Sequence, residues 1–286
     1  MNEQKHKKGV LFLLIAGVLL FGGCGAQPAK ELRICPGAGS AGVVTALLRE
    51  RSRDVESFKA NGSCIWRQSV DGKVHHRENF NVKLWVGQAG FLRLQGDIAF
   101  DPTGIVLGSN EQEYWLAIKP LGISSYWWGH WERSGDFGRL KINPKVLLEA
   151  VGIVEIGENK DWKLHSEDGF DVLSLESEEF VKKIYVFNCD RTVSRIEYYD
   201  LEGTMLVWAE LDNYVSVNES FHVPRAIRLV SRTGVNIEDS FEITLGTVKR
   251  VDLTDKQREK LFNRPEMRGF ETIVEDGVLI KSRGEN

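Results

Sequence analysis

A long succession of short segments of alternating polarity, punctuated by tight-turn signals, constrains this chain most, because side chains that alternate with period two commit a segment to a strand. Residues 58–68 lead to Asp71-Gly72, a hairpin turn pair, and the return runs through Phe80, Val82, Leu84 and Val86 with Asn81, Lys83 and Trp85 on the other face. Residues 87–90 turn the chain into Phe91-Leu92-Arg93-Leu94, Asp101-Pro102-Thr103-Gly104 turns it again, and residues 110–112 separate the next strand from 114–118. Further runs at 170–175, 181–187, 193–199, 204–211, 221–230 and 241–251 are joined by Asn188-Cys189-Asp190, residues 200–203, Asn218-Glu219 and Thr233-Gly234. Successive hairpins with few helices predict a curved antiparallel sheet or barrel, not a parallel βαβ architecture.

Three helices interrupt this pattern. Val43, Val44, Leu47 and Leu48 recur at helical spacing before a run of charges that ends at Asp54. Asn143-Pro144 reads as an N-cap followed by a first-turn proline, with Val146, Leu147, Leu148 and Val151 as the apolar side and Gly152 as the stop. Thr254 with Gln257 forms a capping box for a short helix that ends before Pro265. Between the two groups of strands, residues 121–139 crowd Tyr126, Trp127, Trp128 and Trp131 among glycines and charges, which predicts an aromatic loop.

The N-terminus has a different character. Lys5, Lys7 and Lys8 precede an apolar run at residues 10–21 that closes on Gly22-Gly23 and Cys24. That run is too short for the ~20 residues of a membrane-spanning helix and carries the basic start and small-residue cleavage site of an export signal. It resembles a bacterial lipobox, with Phe21 where leucine is usual, and implies diacylation of Cys24. Residues 1–23 are therefore expected to be a removed signal peptide, and residues 24–42, rich in Pro, Gly, Ala and Ser, a flexible tether to one domain at 43–286. The net charge of −4 and the lack of a basic stripe exclude nucleic acid as a partner. Lipidation of Cys24 leaves Cys35, Cys64 and Cys189 in an oxidising setting, which permits at most one internal disulfide of three pairings.

Catalytic and cofactor motifs argue themselves down. Gly37-Ala38-Gly39-Ser40-Ala41-Gly42 matches a dinucleotide-binding pattern, but the chain beyond it is antiparallel, and Ala38 stands where a nucleophile elbow needs its first glycine. His75 and His76 point to opposite faces of a strand with no further ligand at metal spacing, and no two carboxylates must converge. No cofactor, metal or catalytic residue is expected. Tryptophans carry more information: Trp66, Trp85, Trp115 and Trp208 fall in strands, and such rings either fill a core or line an apolar pocket.

The order of elements resembles the lipoprotein-localisation superfamily, which includes the periplasmic carrier LolA and the outer-membrane acceptor LolB. The likeness spans about residues 43–265. It rests on the first helix leading to Phe58-Lys59-Ala60-Asn61-Gly62, on Leu107-Gly108-Ser109-Asn110 followed by Tyr114-Trp115, on the mid-chain helix at Pro144, on the 198–208 hairpin, and on His222-Val223-Pro224-Arg225-Ala226-Ile227. The resemblance implies a mainly β, half-open antiparallel barrel of about eleven strands with a helical lid over an apolar cavity that receives acyl chains. It implies a non-enzymatic lipoprotein of the bacterial envelope, anchored at the outer membrane facing the periplasm, whose partners are the membrane and lipid or lipoprotein acyl chains. The expected cavity and lid residues are Trp66, Trp85, Trp115, Tyr126, Trp127, Trp128, Trp131, Leu147, Leu148 and Trp208. The alternatives are a structural or interaction lipoprotein with a filled core and, third, an envelope hydrolase.

Overall fold

The computed structural model describes residues 35–88, 90–98, 101–120, 124–133, 144–154, 156–157, 161–219, 221–234 and 236–281. The signal segment, Cys24, the tether as far as residue 34, and Asn143 lie outside the described residues. In chain order the elements are α1 (Ala41–Arg53), β1 (Phe58–Val70), β2 (Lys73–Val86), β3 (Leu92–Ile98), β4 (Asp101–Ser109), β5 (Glu113–Ile118), β6 (Ser125–His130) and α2 (Pro144–Ala150). They continue with β7 (Lys163–Glu167), β8 (Phe170–Glu176), β9 (Val181–Phe187), β10 (Val193–Tyr199), β11 (Met205–Ser216), β12 (His222–Gly234), β13 (Ile237–Arg250), α3 (Asp255–Phe262), β14 (Thr272–Glu275) and β15 (Val278–Lys281).

The fifteen strands among the described residues form one open sheet in the order β15-β14-β6-β5-β4-β3-β2-β1-β13-β12-β11-β10-β9-β8-β7. Two antiparallel meanders run outward from a central seam where β1 pairs with β13. The Asp71-Gly72 turn closes β1 onto β2, with both residues at positive φ, as a two-residue hairpin requires. The β1–β13 register slips between Ala60 and Gly62, where Gly246 and Thr247 form a bulge in β13 that bends the sheet. A Cβ on Gly62 would come within 2.2 Å of the Thr244 carbonyl oxygen, so this close approach of two backbones needs glycine.

The concave face holds the main core. Inward positions alternate along each strand: Phe58, Ala60, Cys64 and Trp66 on β1, Val82, Leu84 and Val86 on β2, and Phe241, Ile243 and Leu245 on β13. The convex face carries cross-strand ion pairs, Arg67 with Glu242 and Arg228 with Glu210, and Arg195 pairs with Glu197 along β10. Such charges on the outer wall suit water and are costly against lipid, so this is not the wall of a membrane-embedded barrel. Among the described residues no helix is long and apolar enough to cross a membrane.

Three sequence expectations need correction. The aromatic segment is not a loop: Tyr126, Trp127 and Trp128 lie in β6, antiparallel to β5 and parallel to β14. Both faces of β6 are covered, so it lacks the polar alternation that marks a half-exposed strand. β7, β14 and β15 likewise raise the strand count from about eleven to fifteen. Finally, residues 35–42 are not a free tether. Cys35 forms a disulfide with Cys189, the Ala38 amide donates to Asp171 Oδ2 at 2.7 Å, and Arg191 donates to both Asp171 and the Pro36 carbonyl. Fixed covalent and charge-assisted contacts outweigh the flexible composition. One disulfide among the described residues agrees with the expected limit. Other local signals hold: Gly152 ends α2 at positive φ, and the Thr254–Gln257 capping box is formed.

Two outcomes follow. Gly62→Ala must displace the Thr244 backbone and is expected to cost about 1–3 kcal/mol, measured by urea unfolding at equilibrium. Cys64 is buried, and desolvation pushes its thiol up from 9.0 to about 12. The native state therefore keeps a proton that the unfolded chain releases above pH ~9, so stability falls as pH rises from ~9 towards ~12. Unfolding midpoints of the native chain and Cys64→Ala, compared from pH 8 to 11, should converge as pH rises.

Candidate ligand-binding site

The concave face is closed by helices. α2 has seven residues, too few to hold a helix alone, so its stability must come from packing. Pro144, Val146, Leu147, Leu148, Glu149 and Ala150 are all buried, and α2 packs on β11, β12 and β4. Residues 151–154 continue the filling: Val151 and Val154 join the main core. From the other side α1 presents Val44 and Leu48, while Val43 stays exposed. Arg49 and Ser52 donate to the carbonyls of Ile156 and Val154, tying α1 to the chain that follows α2.

A buried ionic latch sits in this apolar packing. Lys182 of β9 contacts Glu149 Oε1 at 2.5 Å, the Tyr198 hydroxyl of β10 donates to Glu149 Oε2 at 2.6 Å, and both charged side chains are at most 4% exposed. The Lys182 ammonium also lies over the rings of Tyr198 and Trp162, at 5.3 and 6.0 Å. These residues were missed at the level of sequence. The readable signal was a glutamate among Val146-Leu147-Leu148 and Ala150-Val151, and a lysine at an inward position of β9, two opposite charges each where a core residue belongs.

Beneath α1 and α2 lies a cavity of about 240 Å³ lined by Leu48, Arg51, Glu149, Gly152, Val154, Asp190, Thr192, Val193, Tyr214, Phe221 and His222. Arg51 donates to the carbonyls of Arg191 and Asp190, and the Tyr214 hydroxyl to that of Val193. Burial lowers the Arg51 pKa and raises that of Tyr214. The lining is thus mixed, with Leu48, Val154, Val193 and Phe221 beside the polar or charged Arg51, Glu149, Asp190, Thr192, Tyr214 and His222.

The structure scatters the residues expected to line the cavity. Trp66, Leu147 and Leu148 belong to the main core, and Trp127 packs against it. The Trp66 indole donates to buried Asp239 at 2.9 Å and stacks on Phe241. Trp115, Tyr126 and Trp128 lie on the opposite face of the sheet, in a second cluster with Val106, Ala117 and Phe270. The chain after α3 covers them: Tyr126 donates to the Pro265 carbonyl at 2.7 Å, and the Arg264 guanidinium lies 3.7 Å from the Trp128 ring centre. Trp131 occupies a short 3-10 turn, packs on Tyr114 and donates to the Asn110 carbonyl. Trp85 and Trp208 sit at outward positions of β2 and β11, opposite Lys59 and Glu197 respectively. Strand parity places all these rings, and ring chemistry alone could not.

This open, mainly β sheet with few helices is a fold shared with solved lipoprotein-sorting-type domains. No family model matches the sequence, and no curated protein matches it. Among solved structures, the chain is similar to a putative outer membrane lipoprotein-sorting protein domain from Vibrio parahaemolyticus, with a TM-score of 0.53 at 13% identity over 76% of this chain and 96% of that one. It is also similar to a LolA superfamily protein from Nitrosomonas europaea, with a TM-score of 0.49 at 14% identity over 79% of this chain and 99% of that one.

The latch makes a sharp prediction. Glu149→Ala leaves the Lys182 ammonium buried and unpaired and is expected to destabilise the protein by about 3–5 kcal/mol, whereas the apolar double variant Glu149→Leu/Lys182→Met should lie close to the native chain. Guanidinium unfolding curves of the three proteins compare them directly.

Proposed function

We propose that the protein is a lipid-anchored lipoprotein of the bacterial envelope that receives an acyl chain on the concave side of its sheet, with α2 as a removable plug. The observation that carries this reading is the apolar concave face filled by a seven-residue helix that carries a buried ion pair, Glu149 with Lys182. The existing cavity, about 240 Å³, is smaller than the ~300–1,000 Å³ of ordinary ligand pockets. A lipid tail therefore enters by displacing α2, whose Val146, Leu147 and Leu148 it replaces with an equivalent apolar surface. The buried indole N–H groups of Trp127 and Trp162 lack acceptors among the described residues and suit the ester oxygens of a lipid. The buried carboxylates Glu149, Asp171 and Asp239 are engaged in structural bonds, which favours binding over catalysis.

Anchoring through diacylated Cys24 and residence at the outer membrane, facing the periplasm, complete the reading. Two acyl chains make such attachment stable. A second reading, a structural or interaction lipoprotein with a filled core, is favoured by the burial of every residue of α2 but Lys145. One titration separates the two. Glu149→Gln weakens the latch and should tighten binding of a fluorescent fatty-acid probe to the full chain by about tenfold for each ~1.4 kcal/mol of closure lost. Absence of saturable probe binding in both native and variant protein would sink the acyl reading and leave the filled core. Palmitate-analogue labelling that survives Cys24→Ser would sink the anchor.

A further inference from the structure

The convex wall carries a feature that acyl binding does not use. Lys59 of β1 and Lys249 of β13 stand directly opposite each other, both exposed, an arrangement in which like charges repel. In the next row Lys83 of β2 stands opposite Asn61 of β1. Trp85, half-buried on the same face, lies between Lys59 and Arg93 in the cross-strand row. The β13 bulge opens a shallow concavity of about 210 Å³ there, lined by Lys59, Ala60, Asn61, Thr247 and Lys249. Their cross-strand partners across these two rows include no carboxylate, although the chain as a whole has a net charge of −4. Arg93 donates to the Leu261 carbonyl at 2.9 Å, while the three lysines make no ion pair among the described residues; the neighbouring acid Glu56 is held by Arg250, and Asp97 of β3 lies one row beyond Lys83, opposite Asn81.

This patch lies at the rim where β1 and β3 begin and β2 and β13 end. Following the antiparallel order through β12 and β11, the turn between β9 and β10, which carries Cys189 and hence Cys35, lies at the same rim. From β10 to β1 is four strand spacings, roughly 19 Å along the sheet at ~4.8 Å each. Cys24 precedes Cys35 by eleven residues, an extended length of at most roughly 36–40 Å. One membrane can therefore meet the anchor and the patch together.

We propose that this wall is a membrane-docking surface: Lys59, Lys83 and Lys249 engage the phosphates of anionic phospholipids, and Trp85 seats at headgroup level. The proposal rests on the Cys24 anchor for its proximity to the bilayer. Its chemistry is that of interfacial proteins, in which clustered ammonium groups meet anionic headgroups and an amphipathic ring lies at the boundary. Charge complementarity selects the occupant, since the unpaired cations need an anion and the adjacent indole needs an apolar boundary.

The processed full-length lipoprotein is reconstituted into vesicles of phosphatidylcholine alone or mixed equally with phosphatidylglycerol, each containing a headgroup-labelled quencher lipid. The Trp85 signal is the fluorescence difference between the native chain and Trp85→Phe. It is expected to be quenched on the anionic vesicles and not on the neutral ones. The triple variant Lys59→Glu/Lys83→Glu/Lys249→Glu, confined to exposed side chains, should lose that preference by on the order of a hundredfold, with an unchanged circular dichroism spectrum. Acetylation of the three lysines in the native chain, read by mass spectrometry, provides the same comparison without substitution: protection on anionic vesicles alone is expected. Equal Trp85 quenching on both vesicles, or none on anionic ones, overturns the proposal, including the case in which the lysines bind an acidic protein instead. Flotation reports the anchor separately. A chain that floats with both vesicles but keeps Trp85 unquenched defeats the docking surface alone, while a chain that floats with neither defeats the anchor.

Discussion

Arg67 on β1 and Glu242 on β13 are 175 residues apart in sequence and 2.5 Å apart in space, and the seam they cross joins the two meanders into one sheet. Neither meander can bury its concave face alone, since the main core draws Cys64 and Trp66 from one side and Phe241 and Ile243 from the other. Closing so long a loop costs entropy that grows only logarithmically with length, so stability tolerates it. Folding speed is the quantity that suffers, because this non-local pairing must form before it yields any contact. The bulge at Gly246 and Thr247 belongs to the same seam, bending the sheet and opening the lysine-lined concavity.

Packing inside the curve sets the character of the molecule. α2 is an apolar wedge with one buried charge, and Glu149 is satisfied by Lys182 and Tyr198 together. A buried pair of this kind adds little net stability compared with an apolar replacement, but it penalises every arrangement in which only one partner is buried. It therefore specifies where α2 sits more than how strongly it is held. That distinction is what a removable plug requires.

Sequence made the strands legible wherever one face met water, as in Phe80 to Val86 of β2, and made the turns legible wherever a special backbone conformation demanded Gly, Asn or Asp, as at Asp71-Gly72. It could not reveal β6, because Tyr126 and Trp128 are covered by the chain after α3 while Trp127 faces the main core, so every position looks apolar. Nor could it place the tryptophans, because strand parity depends on register and a ring at an outward position has the same composition as one inside. Trp85 and Trp208 differ from Trp66 only in this respect. The latch escaped because its partners, 33 residues apart, meet only once β9 has curled over α2.

The disulfide between Cys35 and Cys189 has a mechanical consequence. Any pull that the segment before residue 35 transmits to the body enters through the covalent bond at the turn between β9 and β10, and bypasses α1. Force applied in this way loads strands in the middle of the second meander, where each is hydrogen-bonded on both sides. Without the bond the same pull would peel away residues 36–40 and then α1, which is held only by non-covalent contacts, an apolar stripe and the hydrogen bonds of Arg49, Arg51 and Ser52. The bond also closes a loop of 154 residues, which in the chain-entropy account restricts the unfolded state by up to roughly 5 kcal/mol. Reduction would thus remove a mechanical stop and a thermodynamic one at the same point in the chain.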